Sequence, residues 1–160
     1  MDKILDKEPV RRVQDFIANF DLKLKIIVLN NTARTAVDAA NSLKCEVGAI
    51  VKSLLFKVDD SFLICLVAGD KRCSLNKLKK FLNKKIIRMA NADEVKAATG
   101  FSIGGVAPVA YITNLDILID KSLSRFEYVH AAAGHPNCVF KIGYNKLIDI
   151  SNGSVKEICE

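Results

Sequence analysis

Two apolar runs, residues 48–56 and 62–68, are separated by a short polar stretch centred on Val58-Asp59-Asp60-Ser61. Runs of this length, rich in Val, Ile, Leu and Phe and bounded by a polar turn, predict the two strands of a β-hairpin. Further strands are predicted over 22–29, 86–89, 116–120, 128–133, 138–142 and, more weakly, 155–158. Helical spacing of apolar residues predicts helices over 9–20 and from Ala36 through Leu43, with Asn30-Asn31-Thr32 as caps for the second. A third helix has Ser74 as its cap and Leu75, Leu78, Phe81 and Leu82 on its apolar face, with Lys77, Lys79 and Lys80 opposite. A fourth runs over 92–99, between a capping box of Asn91 and Glu94 and a stop at Gly100. A short helix over 144–150 precedes an Asn152-Gly153 turn.

Adjacent hairpins mixed with strand–helix alternation imply a mixed sheet with helices packed outside it. The class is α+β, or mixed α/β, and lacks the regular alternation of a doubly wound fold. Half of the 160 residues are hydrophobic and 26% are charged, which suits one buried core and one domain over 1–160.

The composition excludes several chemistries. There is no GxxxxGK[ST] phosphate loop, no GxGxxG fingerprint and no HExxH motif. Cys45, Cys65, Cys73, Cys138 and Cys159 form no CxxC pair, so neither a zinc knuckle nor a disulfide framework is expected, and a reducing cytoplasm is the default setting. Cys65 reads as core, whereas Cys45, Cys73 and Cys138 are open to exposure. Asp59-Asp60 reads as a turn, and Asp116 and Asp120 as surface residues. His130 and His135 have no clustered carboxylates to make a metal site with. No metal and no cofactor are expected. The first ten residues lack the apolar core of a signal peptide, and no apolar run approaches a membrane span.

Two features remain. Lys52 shares a strand face with Ile50, Leu54 and Phe56, so it must snorkel, pair, or serve as a fixed cation for phosphate, carboxylate or a developing oxyanion. Thr99-Gly100-Phe101-Ser102-Ile103-Gly104-Gly105-Val106-Ala107-Pro108-Val109 holds three of the eight glycines and one of the three prolines, and has no carboxylate, cysteine or histidine. Such a stretch acts through its backbone, as a helix stop and tight turn or as a wall against which a ligand comes close. The net charge of +6 permits a polyanion such as RNA as partner. Lys71, Arg72, Lys77, Lys79, Lys80, Lys84, Lys85 and Arg88 are the candidate footprint, or otherwise a solvated helix face.

Val51-Lys52-Ser53-Leu54-Leu55-Phe56, then Ala98 to Pro108, then Ala131-Ala132-Ala133-Gly134 occur in that order. On these motifs the chain resembles the YbaK/EbsC family, which includes the editing domain inserted in bacterial prolyl-tRNA synthetases. The likeness runs from about Thr32 onward. It implies a barrel-like mixed sheet surrounded by helices, and a hydrolase that cleaves in trans the ester between a wrong amino acid and the 3′ adenosine of tRNA. Substrates in view are tRNA(Pro) charged with Ala or Cys, or a Ser/Thr-type mischarge, and a synthetase is a second candidate partner. Lys52 matches the family's important lysine, the catalytic candidate. Gly104, Gly105 and Pro108 match its GxxxP loop and Gly134 its small-residue motif, the substrate-binding candidates. Ser53 is a further pocket candidate, although period two points it away from the Lys52 face. Many relatives have Gly and His after Pro-Val where this chain has Ala110 and Tyr111, and the alternative reading is a tRNA- or synthetase-binding module of the same fold without turnover.

Overall fold

The computed structural model describes residues 3–30 and 35–160. Helix α1 (Glu8–Phe20) has Pro9 in its first turn, where the missing N–H costs nothing. It buries Val10, Val13 and Ile17 completely, each worth about 1.5–3 kcal/mol of apolar burial. Strand β1 (Ile26–Val28) is shorter than the predicted 22–29 because Leu22 stays exposed and Leu24 N–H closes a turn onto Asp21. The caps expected at Asn31 and Thr32 lie outside the described residues. Helix α2 (Ala36–Leu43) is capped by Thr35, whose hydroxyl accepts from Asp38 N–H at 3.1 Å.

The predicted hairpin is the centre of the molecule. Residues Val47–Ala49 form a 3-10 turn, and then β2 (Ile50–Val58) pairs antiparallel with β3 (Ser61–Ala68) through every residue from Val51 to Val58. Next come α3 (Leu75–Leu82), β4 (Ile87–Met89) and α4 (Ala92–Thr99). Ser74 caps α3, and α4 has the full capping box of Asn91 and Glu94, as predicted. After the glycine-rich loop come β5 (Asp116–Asp120), a 3-10 segment at Lys121–Arg125, β6 (Tyr128–His135), β7 (Cys138–Gly143), α5 (Tyr144–Ser151) and β8 (Ser154–Lys156).

The eight strands among the described residues join one sheet in the order β1-β7-β6-β2-β3-β5-β8, with β4 also on β2. The β2/β6, β3/β5 and β5/β8 pairs are parallel and the others antiparallel, so the mixed sheet with outer helices is the predicted class. One large core lies between the sheet and α1, α4 and the glycine-rich loop; a second, containing Phe56, Cys65, Leu78 and Ile158, lies on the other side.

Two sequence expectations need correcting. Asp120 is only 2% exposed. Its carboxylate accepts from Ile158 N–H at 2.9 Å and Ser122 N–H at 3.0 Å, which makes burial affordable. Cys138 is likewise buried, because it starts a central strand.

Candidate active site at the open edge of the central strand

Strand β2 is paired on its β3 side from Val51 to Val58. On the other side it meets β6 only at Ile50 and Val51, and β4 only from Phe56 to Val58. Among the described residues no strand fills the gap between them. Leu55 is the nearest residue with a partner there: its carbonyl accepts from Ala90 N–H at 2.9 Å. Amide groups of alternate strand residues face the same edge, so the N–H and C=O of Ser53 face the gap.

A cavity of about 550 Å³ opens at this edge. It reaches around both faces of β2, so Lys52 and Ser53 both line it despite pointing to opposite faces. Small side chains, Ala36, Ala39, Ala90 and Ala132, make much of the wall, and Ile103, Gly104 and Pro136 also contribute. Lys52 Nζ donates to the carbonyl of Lys71 at 2.7 Å, which ties the ammonium to the turn after β3. Among the described residues, Ser53 Oγ and His130 Nδ1 are buried and find no hydrogen-bond partner. Both belong to residues of the cavity wall. Burial, helped by Lys141, lowers the pKa of His130 and favours its neutral form.

The residues predicted from the GxxxP loop and the small-residue motif divide into two groups. Gly104, at φ +92°, is on the cavity wall. Gly105, Pro108 and Gly134 are not among the lining residues and stand behind it. Gly134 N–H donates to Gly105 O at 3.0 Å, which fastens the loop to β6. A Cβ on Gly105 would lie 2.9 Å from the carbonyl carbon of Gly134, and one on Gly134 2.7 Å from the carbonyl of Pro9.

The loop is braced from outside as well. Thr99 Oγ1 donates to Val95 O at 2.6 Å and accepts from Phe101 N–H at 3.0 Å. Arg12 lies over the Phe101 ring at 4.5 Å and donates to Ala110 O at 2.8 Å. Tyr111 donates its hydroxyl to Ala107 O at 2.7 Å, and burial raises its pKa. Neither Arg12 nor His130 was singled out for the site by sequence. A charged residue on a solvated helix face, and a histidine in a strand, give no local sign of the partner that folding brings.

The family model for the aminoacyl-tRNA editing domain matches residues 30–150. The chain belongs to the aminoacyl-tRNA editing domain family. It is 34% identical over 103 residues to a proline–tRNA ligase of Thermosipho melanesiensis, an alignment that covers 64% of this chain and 18% of the ligase. The chain thus spans less than a fifth of that relative's length. An uncharacterized Bacillus subtilis protein, YwhH, is 26% identical over 91% of this chain and 93% of its own. The crystal structure of a candidate trans-editing enzyme for prolyl tRNA synthetase superposes with a TM-score of 0.90 at 34% identity, covering 96% of this chain and 98% of the other. The resemblance read from the three motifs, and the fold it implied, are therefore correct. No helix among the described residues is long and apolar enough to cross a membrane.

Proposed function

We propose that this editing domain is a trans-acting deacylase that hydrolyses the ester of a mischarged tRNA, working in the cytoplasm beside an aminoacyl-tRNA synthetase. The observation that carries the reading is the unpaired stretch of β2. It offers a fixed ammonium (Lys52), a strand amide and hydroxyl (Ser53) and a glycine backbone (Gly104) to a single cavity.

The chemistry follows from the donors. The tRNA 3′ end enters with its aminoacyl group against the alanine-rich wall, which suits a small side chain. Lys52 neutralises the terminal phosphate or the ester carbonyl oxygen. The Ser53 N–H, facing the gap, stabilises the oxyanion that forms when water, held by the neighbouring ribose hydroxyl, adds to the carbonyl. The ester C–O bond then breaks, and the ribose oxygen takes a proton. An aminoacyl ester is already activated, so positioning and oxyanion stabilisation suffice without a triad. Gly105, Pro108 and Gly134 shape the pocket from behind by holding the loop to β6. Discrimination by size alone is limited to about 1–3 kcal/mol per methylene, so the unpaired Ser53 Oγ and His130 Nδ1 are the groups that can add selectivity.

The test is hydrolysis of Ala-, Cys-, Ser-, Thr- and Pro-tRNA(Pro) by the wild type and Lys52→Ala. The expected result is cleavage of at least one non-proline ester, with sparing of Pro-tRNA(Pro). Lys52→Ala should lose about 100-fold or more of that rate. Cleavage of no ester, or full activity in the variant, overturns the proposal. Salt-dependent tRNA binding without cleavage would instead favour the binding-module alternative.

A further inference from the structure

On the face of the sheet away from the glycine-rich loop, three of the five cysteines come together. Cys65 lies in the middle of β3, Cys73 in the turn before α3, and Cys159 just beyond β8. Cys73 and Cys159 are paired by an isolated antiparallel bridge. The hydrogen bonds on either side, Ser74 N–H to Ile158 O at 2.7 Å and Glu160 N–H to Arg72 O at 2.9 Å, make this the non-hydrogen-bonded type of pair. In that type the Cα atoms lie about 4.5 Å apart and the side chains face each other. This spacing is inside the range that a disulfide spans. The two segments are also pinned from other directions. Asp120 accepts from Ile158 N–H at 2.9 Å, and Lys77 Nζ donates to Cys159 O at 2.6 Å.

We propose that Cys73 and Cys159 form a peroxide-reactive dithiol that closes to a reversible disulfide. Nothing in the editing chemistry uses these thiols, so the pair is a second site, which adjoins the first through Lys52.

The three sulfurs have different roles. Cys73 is half-buried and therefore reachable, whereas Cys65 is fully buried and Cys159 nearly so. The hydrogen bond with the Cys65 thiol lowers the pKa of Cys73, against opposition from burial and Asp120, and the Lys52 ammonium adds to the lowering. Burial, with Asp120 nearby, holds the Cys159 thiol up at about 12. Cys73 is thus the nucleophile and Cys159 the resolving thiol.

The Cys73 thiolate attacks one oxygen of hydrogen peroxide, the O–O bond breaks, and the departing hydroxide leaves as water after taking a proton. Cys73 becomes a sulfenic acid. The Cys159 sulfur then attacks the Cys73 sulfur, the S–O bond breaks, and the Cys159 proton leaves with that hydroxide as a second water. Two thiols lose two electrons and one peroxide becomes two waters. A dithiol reductant reverses the step by exchange. Oxidation ties residue 159 to the turn that also contains Lys71, whose carbonyl holds the Lys52 ammonium.

The experiment is treatment of the intact chain with a few equivalents of hydrogen peroxide, alkylation of remaining thiols, and mass spectrometry of the tryptic peptides that carry Cys65, Cys73 and Cys159. The expected result is a cross-link between the Cys73 and Cys159 peptides, lost on dithiothreitol treatment, with Cys65 recovered as a free thiol. In Cys159→Ser, Cys73 should accumulate instead as a sulfenic acid that dimedone captures. Cys65→Ala should still form the link, several-fold more slowly. A Cys65–Cys73 link, irreversible oxidation of Cys73 beside an intact Cys159 thiol, or three unreacted thiols would each overturn the proposal. None of these readouts depends on deacylation, so failure here and failure of the editing reading are told apart.

Discussion

The amide of Gly134 donates to the carbonyl of Gly105 at 3.0 Å, and there is no room for a methyl group on either residue. This single backbone contact fixes the glycine-rich loop against β6 and so sets where Gly104 meets the cavity.

Gly105→Ala should push the loop off β6 and cost about 1–3 kcal/mol through overpacking. Gly134→Ala should cost at least as much, because its φ of +91° disfavours any side chain in addition to the clash with Pro9. Urea denaturation of both variants measures the cost. Both residues hold the loop that carries Gly104, so deacylation should fall further than the loss of folded protein alone, and a destabilised Gly105→Ala that keeps full activity per folded molecule would contradict this role.

Ser53→Ala should behave in the opposite way. The buried Oγ has no partner among the described residues, so removing it takes away a desolvation penalty, and thermal stability should stay level or rise by up to about 1 kcal/mol. Deacylation should change in its preference among Ala-, Cys-, Ser- and Thr-esters, because the hydroxyl lines the cavity that we propose holds the amino acid. The ratio of kcat/KM values across the panel reads this. An unchanged ratio would remove Ser53 from selection.

Ala110 sits at φ +66°, a left-handed conformation that costs a non-glycine residue about 1–2 kcal/mol. Ala110→Gly should therefore stabilise the fold slightly, by less than about 1 kcal/mol, once the glycine's extra chain entropy and the loss of a buried methyl group are subtracted. Differential scanning calorimetry checks the direction. The carbonyl of residue 110 continues to accept from Arg12 in the variant, so the loop keeps its brace.

Glu94 caps the helix that leads into the loop and meets Arg88 through two 2.8 Å hydrogen bonds. Arg88, then Asn91 N–H, lowers its pKa from 4.5 to about 2. A folded-state value below the unfolded one means the stabilisation is present above about 4.5 and is lost as the pH falls towards about 2. Thermal melts of the wild type and Glu94→Gln across that range should converge at the acidic end, with the wild type ahead at neutral pH. Parallel curves would show that the charge contributes nothing.

Much of this molecule is written locally. The hairpin of β2 and β3 follows from two long apolar runs around Asp59-Asp60, and α4 follows from Asn91, Glu94 and Gly100, because caps, turns and period are properties of neighbouring residues. The family motifs containing Lys52, Gly104 and Gly134 were legible in the same way. Ser53 could be quoted from sequence, but period two argued against it. Only the sheet order shows that β2 is open between β6 and β4, so that both of its faces reach one cavity. The burial of Asp120, the bracing of the loop by Arg12, the burial of His130 Nδ1 and the pairing of Cys73 with Cys159 each depend on residues far apart in the chain. Their energies depend on desolvation and on partners brought by other segments. Sequence determined the strands, the turns and the residue types of the site. Tertiary structure decided which edge stays unpaired, and therefore where those residues can meet a ligand.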